Sequence, residues 1–195
     1  MLSRLLKLVI IVFALIMAFV PAAAGQQKPD LLRESAVAST RSPVPIAARV
    51  RHRLVTLRYY DVFDCLEGEV RPDGTLYLRG QVVRPTLKSD AEASVRDVDG
   101  VTRVVNEIEV LPVSPNDDRL RVALYRAIYK FDSPLFRYAT RAVPPIHILV
   151  KNGRATLKGV VANKTDSDLA YMAARSVRGV FNVMNELRVE SEMAR

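Results

Sequence analysis

The stretch Asn152–Val189, NGRATLKGVVANKTDSDLAYMAARSVRGVFNVMNELRV, repeats a pattern found earlier at Asp73–Val110, DGTLYLRGQVVRPTLKSDAEASVRDVDGVTRVVNEIEV. The two stretches align without a gap at a constant offset of 79 positions. The aligned identities are mostly glycines and branched apolar residues: Gly74/Gly153, Leu78/Leu157, Gly80/Gly159, Val82/Val161, Gly100/Gly179, Asn106/Asn185 and Glu107/Glu186. Matches at one constant offset indicate an internal duplication, so the sequence predicts two copies of one small domain.

Hydrophobic periodicity predicts the same order of elements in both copies. In the first copy, Val50, Leu54 and Leu57 have the spacing of one apolar helix face. Alternating apolar residues predict strands at 62–72 and 76–82, and a second helix ending at glycine leads to a last strand at 104–110. Each copy is therefore predicted as helix, strand, strand, helix, strand, which gives an α+β fold of two tandem αββαβ modules.

The second copy repeats this order with a longer insert. Its first helix is predicted from the apolar stripe Leu120, Leu124, Ala127 and Phe131. Asn116 is the predicted cap, and Asp117 and Asp118 place negative charge in the first turn. An irregular insert is predicted at 132–145. Asn152-Gly153 predicts a tight hairpin turn, and Thr165 with Asp168 resembles a capping box at the start of the second helix.

The N-terminal residues are predicted to lie outside these modules. A basic start precedes the apolar run Leu8–Val20 and an alanine-rich end, which is typical of a secretory signal peptide cut after Ala24. The alternative is an uncut anchor, but the run is shorter than the ~20 residues that span a bilayer. We divide the chain into a signal peptide at 1–24, a flexible tether at 25–46, and domains at 47–112 and 116–190. The expected location is the periplasm.

The sequence contains few of the cysteine and histidine residues that commonly act as nucleophiles or metal ligands. The 195 residues include one cysteine and two histidines. Cys65 has no partner for an internal disulfide and is expected to be a small buried residue. His52 and His147 belong to no local metal, nucleophile or phosphate motif. We therefore predict no enzyme activity, no cofactor and no metal, and we identify no small-molecule substrate.

The motifs resemble those of the BON domain, a family named after bacterial osmotically inducible and nodulation proteins. The resemblance is most specific in the second copy, at Asn152-Gly153, LKGVV at 157–161 and GVFNVMNEL at 179–187. The first copy departs from it with a longer hairpin turn and with Pro85 before its second helix. The resemblance implies an exported, non-enzymatic protein linked to envelope integrity, osmotic stress and phospholipid binding.

Several repeated residues are predicted to be structural. They include Gly80 and Gly159, within the second strand of each copy, and Gly100 and Gly179, which end the second helix of each copy. Asn106 and Asn185 lie at inward-facing positions of the last strand, where a buried amide needs hydrogen-bond partners. We expect each asparagine to tie its strand to a neighbouring loop, with ligand contact as the alternative.

Positive charge is concentrated in the second copy. Residues 48–112 have a net charge of −1, whereas residues 117–190 have a net charge of +6. The thirteen cationic residues of the second copy are Arg119, Arg121, Arg126, Lys130, Arg137, Arg141, Lys151, Arg154, Lys158, Lys164, Arg175, Arg178 and Arg188. Nucleic acid is an improbable partner for an exported chain, so anionic phospholipid is the expected target, at ~1 kcal/mol for each cation near the surface.

One helix face makes the expected phospholipid-binding surface more specific. At ~100° per residue, part of the first helix of the second copy projects away from the predicted core, and the insert extends the patch. The predicted lipid- or partner-binding residues are Arg119, Val122, Tyr125, Arg126, Tyr129, Lys130, Phe136, Arg137 and Tyr138. Tyrosines beside arginines suit a lipid–water boundary. However, Val55 and Tyr59 hold similar outward positions in the first copy, so docking between modules is an equal alternative.

Three functions follow from these observations. The first is a membrane-associated protein whose second module binds anionic phospholipid. The second is a protein-interaction or chaperone-like module for envelope proteins. The third, a hydrolase, would depend on His147 and has the least support.

Overall fold

The computed structural model describes residues 44–190, all of which belong to one unit, Pro43–Arg195. The predicted signal peptide and the tether up to residue 43 lie outside the described residues. The described residues form two α+β modules in tandem, each with its own sheet and its own apolar core. Among these residues, no helix is both long enough and apolar enough to cross a membrane.

The first module has two helices on one face of a small sheet. Its elements in chain order are α1 Ile46–Val55, β1 Cys65–Val70, β2 Thr75–Val82, α2 Pro85–Val95, β3 Arg103–Asn106 and β4 Glu109–Val110. The hairpin β1–β2 is antiparallel, while β3 and β4 both pair parallel to β2. The helices cover apolar residues of β2, and the core centres on Leu54, Leu76, Leu78 and Leu87.

The second module repeats this arrangement with one added helix. Its elements are α3 Pro115–Ile128, α4 Phe136–Ala139, β5 Ile146–Lys151, β6 Arg154–Val161, α5 Lys164–Arg175 and β7 Asn182–Val189. The strand order is β5-β6-β7, with an antiparallel hairpin followed by a parallel pair. Its core centres on Leu124, Ile128, Ile148 and Leu157. The α+β class and the repeated element order are as predicted.

The predicted hairpin turn forms at Asn152-Gly153, where both residues have positive φ, 52° and 74°. This is the backbone that a two-residue hairpin requires, and both residue types tolerate it. The carboxylate of Asp117, buried at the start of α3, accepts hydrogen bonds from the N–H groups of both turn residues at 2.8 Å. Asp117 therefore fixes the hairpin to the helix, a role beyond the helix-dipole effect expected from its position.

Two glycines lie where the hairpin strands approach closely. Gly159 has φ +125°, and a Cβ there would lie 1.9 Å from the carbonyl oxygen of Pro145. Gly80 has φ +120°, and a Cβ there would lie 1.9 Å from the carbonyl oxygen of Cys65. Gly100 and Gly179 also have positive φ, each in the turn between the second helix and the last strand. The duplication thus repeats a backbone requirement as well as a pattern of apolar residues.

The repeated asparagines tie the last strand to the second helix, not to a loop. Asn106 donates to the carbonyl oxygen of Lys88 at 2.9 Å, and Asn185 donates to the hydroxyl oxygen of Ser167 at 2.9 Å. The amide oxygen of each asparagine accepts the backbone N–H two residues further along the chain, that of Ile108 or that of Leu187. One side chain therefore satisfies a backbone N–H and ties the strand to the second helix.

Several predicted boundaries are wrong. The helix caps are Ser114 and Asn163, whose side chains accept the N–H groups of Asp117 and Asp166, so Asn116 and Thr165 already lie within the helices. The last strand of the first module is split into β3 and β4. The insert 132–145 contains the short helix α4.

The first strand begins at Cys65, three residues after the predicted start, because Val62 contacts the second module instead. The carbonyl oxygen of Val62 accepts the N–H of Ile148 at 2.8 Å, and its side chain joins the second core. The ring of Tyr60 lies 5.7 Å from that of His147. Segment 60–63 therefore forms a joint between the modules along the outer edge of β5.

Asp64 adjoins this joint and is buried. Its carboxylate accepts the N–H groups of Val83 at 2.8 Å and Asp61 at 3.3 Å, and burial raises its pKa from 3.8 to about 6. The folded protein thus binds a proton at Asp64 more tightly than the unfolded chain does. The stability associated with that proton is present at low pH and is lost as pH rises towards and through 6.

We therefore expect the unfolding free energy of Asp64→Asn to lack a pH-dependent component that the natural protein has. Between about pH 4.5 and about pH 7.5, the natural chain should lose about 2 kcal/mol relative to the variant. Urea unfolding of both proteins at several pH values measures this difference. Parallel pH profiles would contradict the assignment.

Candidate binding surface of the second module

Helix α3 presents one face to the core and the opposite face to solvent. Leu120, Leu124 and Ile128 are buried on the inner face. At ~100° per residue, Arg119, Val122 and Arg126 fall on the opposite side. All three are exposed, and Val122 is 44% exposed. With Lys130 and Phe131, which follow the helix, these residues form what we call the outer stripe.

Phe131 contributes to this surface although the sequence placed it in the core. The helix ends at Ile128, which fills the core position, and Phe131 is 84% exposed. Its ring lies 5.1 Å from that of the half-buried Phe136, in an edge-to-face arrangement. Apolar periodicity alone could not identify Phe131 as a surface residue, because its spacing fits the core stripe equally well.

The prediction that Tyr129 projects outward is wrong. Tyr129 is the residue after the helix, where φ −97° and ψ 32° turn it out of the helical pattern. It is only 5% exposed, and its hydroxyl donates to the carbonyl oxygen of Ile146 at 2.8 Å. Burial raises the pKa of this phenol. Tyr129 therefore belongs to the core of the second module.

Tyr125 lies at the joint between the modules. Its ring packs edge-to-face on Phe63 at 6.3 Å and lies 5.0 Å from Tyr129. For this residue the structure supports the docking alternative. In the first module, Val55 and Tyr59 are exposed and are not part of the joint formed by residues 60–63.

Of the predicted surface residues in the insert, Tyr138 is buried and Arg137 is exposed. Tyr138 is 4% exposed, and its hydroxyl donates to Asp166 at 2.7 Å and accepts the N–H of Ala162 at 3.0 Å. Arg137 is exposed but forms an ion pair with the buried carboxylate of Asp166. The predicted contribution of Tyr138 to the surface is therefore wrong, and the charge of Arg137 is partly balanced.

Ion pairing separates the cations of the second module into two groups. Six of the thirteen pair with carboxylates: Arg121, Lys130, Arg137, Lys151, Lys158 and Lys164. Arg121 is buried, and its guanidinium also donates to the carbonyl oxygen of Val150 at 2.8 Å, so it is not part of the solvated surface. Lys151 pairs with Glu109 of the first module. Arg119 and Arg126 have no ion-pair partner within residues 44–190.

The equivalent face of the first module has a different chemistry. Aligning the buried helix positions Val50 and Leu54 with Leu120 and Leu124 places Arg49, His52 and Thr56 opposite the stripe residues of α3. Arg49 is paired with Asp99 at 3.1 Å. Among the residues that the structure describes, the stripe of α3 combines arginines that lack an ion-pair partner with an exposed apolar residue, and the equivalent positions of α1 do not.

Burial shifts the pKa values of two of the three residues with potential chemistry. Burial raises the pKa of the Cys65 thiol to about 11 and lowers the pKa of His147, while His52 lies exposed on α1. Within residues 44–190, no three His, Cys, Asp or Glu side chains come together as a metal site.

The duplicated αββαβ module defines a class of small α+β domains, and comparison with protein families identifies it. The family model described as "BON domain" matches residues 44–112 and 137–191. The chain therefore belongs to the BON domain family and contains two copies of the domain. No curated protein is significantly similar to it in sequence.

Two solved structures resemble the chain weakly. One is CdsD, a structural protein of the type III secretion system of Chlamydia trachomatis, with 13% identity over 77% of this chain and 96% of that one, at a TM-score of 0.29. The other is the C-terminal domain of CdsD, with 12% identity over 76% and 98%, at a TM-score of 0.28. TM-scores this low do not establish a shared arrangement.

Proposed function

We propose that this chain is an exported, non-catalytic BON-domain protein whose second module binds the surface of an anionic phospholipid bilayer and supports envelope integrity or osmotic stress tolerance. The observation that carries the proposal is the outer stripe of α3. On one face of the helix it combines the exposed Val122 with two arginines that have no ion-pair partner within residues 44–190, and the exposed Lys130 and Phe131 follow the end of the helix.

The chemistry of the stripe matches a charged lipid surface. Arg119, Arg126 and Lys130 can each contribute ~1 kcal/mol near anionic headgroups. The pair between Lys130 and Asp132 is exposed on both sides, so it competes weakly with a headgroup. Val122 lies between Arg119 and Arg126 along the helix, and Phe131 directly follows Lys130. Both apolar side chains can enter the interfacial region, where apolar burial adds to the electrostatic attraction.

Binding by this mode depends on ionic strength. We expect the full chain to sediment with phosphatidylglycerol vesicles at about 0.05 M salt and to bind several-fold more weakly at about 0.5 M, because screening shortens the range of the headgroup attraction. Phosphatidylcholine vesicles at low salt are the control and should bind little protein.

Equal binding to both lipids, or binding that salt leaves unchanged, would contradict the electrostatic proposal. The protein-interaction alternative predicts a different result, in which the chain suppresses aggregation of an unfolded client protein when no vesicles are present.

A further inference from the structure

The turn end of the second module carries an exposed aromatic ring that the outer stripe does not include. Phe181 follows the turn between α5 and β7 and is 81% exposed. Its N–H donates to the carbonyl oxygen of Gly153 at 2.9 Å. A Cβ at Gly153 would lie 2.5 Å from the ring, so the missing side chain at Gly153 makes room for it. The ring is therefore held across the hairpin turn and still faces solvent.

Two arginines accompany this ring. Arg154 follows the hairpin turn and pairs in the sheet with Asn182, the residue after Phe181. Arg178 lies in the turn that leads to Phe181. Both are exposed, and neither has an ion-pair partner within residues 44–190. We call Phe181, Arg154 and Arg178 the hairpin-end patch.

The duplication provides an internal comparison for this patch. At the offset of 79, Phe181, Arg154 and Arg178 correspond to Thr102, Thr75 and Asp99 of the first module. The first module thus has two threonines and an acid where the second has an aromatic ring and two arginines. The turn between the second helix and the last strand does not require Phe181 or Arg178, because the first module forms the equivalent turn with Thr102 and Asp99.

The hairpin-end patch lies near the N-terminal end of α3, where Asp117 holds the hairpin turn. A Cβ at Gly179, in the same turn as Arg178, would lie 3.4 Å from the side chain of Leu120 on α3. Arg119 precedes that leucine, while Phe131 follows the other end of the helix. Exposed aromatic rings therefore lie near both ends of α3, with Phe181 beside the hairpin turn that Asp117 holds and Phe131 three residues after Ile128.

We propose that the hairpin-end patch is a second membrane contact, in which Phe181 enters the interfacial region of an anionic bilayer between Arg154 and Arg178. This inference rests on the proposed function and adds an orientation to it, with α3 lying along the membrane and the hairpin end anchored. The occupant is an anionic bilayer because the patch joins an exposed phenyl ring to two arginines that pair with no carboxylate in the described part of the chain, as interfacial binding requires.

The chain contains no tryptophan, so Phe181→Trp introduces a single fluorescent reporter. With phosphatidylglycerol vesicles we expect its emission to shift to shorter wavelength and to be quenched by lipids brominated in the upper acyl chain. Val55→Trp, at an exposed position on α1, is the matched control and should show neither change. Phe181→Ser should lower the vesicle partition coefficient about tenfold, since it removes an apolar side chain from the interface.

The outcomes separate this inference from the proposed function. If the Phe181→Trp protein sediments with vesicles but its emission does not change, the hairpin-end contact is wrong and the outer stripe remains. If emission shifts but Arg119→Glu with Arg126→Glu leaves sedimentation unchanged, the hairpin end is the membrane contact and the outer stripe is not. If the protein does not sediment with anionic vesicles at all, both are wrong.

Discussion

Replacing Arg119 and Arg126 together with glutamate should abolish sedimentation with phosphatidylglycerol vesicles. The double change removes two cations from the outer stripe and puts two anions in their place. At ~1 kcal/mol for each cation lost, with repulsion added, affinity should fall by at least about 100-fold. Sedimentation over a range of lipid concentrations measures the loss.

The fold should survive this change, because both arginines are exposed and neither has an ion-pair partner within residues 44–190. An unchanged thermal melt by circular dichroism is the control. Sedimentation equal to that of the natural chain would count against the stripe. Tyr129 is unsuitable for such a test, because serine there would remove a buried ring and its hydrogen bond to Ile146.

Gly159→Ala should destabilise the second module by about 3 kcal/mol or more. The residue has φ +125°, and the added methyl carbon would lie 1.9 Å from a backbone oxygen that cannot rotate away. The strand must move, and the register of β5 against β6 moves with it. Chemical unfolding of the full chain measures the loss.

Thr156→Ala on the same strand is the matched control for Gly159→Ala. Its side chain is only partly buried on β6, so the change should cost less than about 1 kcal/mol. Gly80→Ala should act on the first module as Gly159→Ala acts on the second, since its geometry is equivalent. A Gly159→Ala protein as stable as the Thr156→Ala protein would contradict the steric explanation.

The repeated fold could be predicted because its signals are local. Apolar residues three and four apart predict α1 and α3, and alternation with Asn-Gly predicts the β5–β6 hairpin. Repetition at a constant offset then predicts that the same set of elements occurs twice, which no single element could indicate. These patterns depend on residues within a few positions of one another.

The candidate surface was only partly predictable because its limits depend on distant contacts. Tyr129 is drawn inward by the carbonyl of Ile146, and Tyr125 packs on Phe63 from the other module. Nothing in the helical spacing of α3 signals either contact. Helical spacing likewise placed Phe131 in the core, because it does not indicate that the helix ends at Ile128.

A comparison within the sequence could have found what periodicity missed. Phe181 aligns with Thr102, and Arg178 aligns with Asp99. Where two copies of one fold differ in charge and aromatic character at an exposed turn, the fold does not require the difference. Such positions are therefore better candidates for binding than residues that both copies share.

The central claim is that membrane binding belongs to the second copy, and a matched pair of charge reversals tests it most directly. The double variant Arg51→Glu with Arg53→Glu changes the charge of α1 in the first module. The double variant Arg119→Glu with Arg126→Glu changes the charge of α3 by the same amount, and all four arginines are exposed. In side-by-side sedimentation with phosphatidylglycerol vesicles, we expect the α1 variant to bind nearly as the natural chain does and the α3 variant not to bind. Equal losses in both variants, or a loss in the α1 variant alone, would contradict the claim.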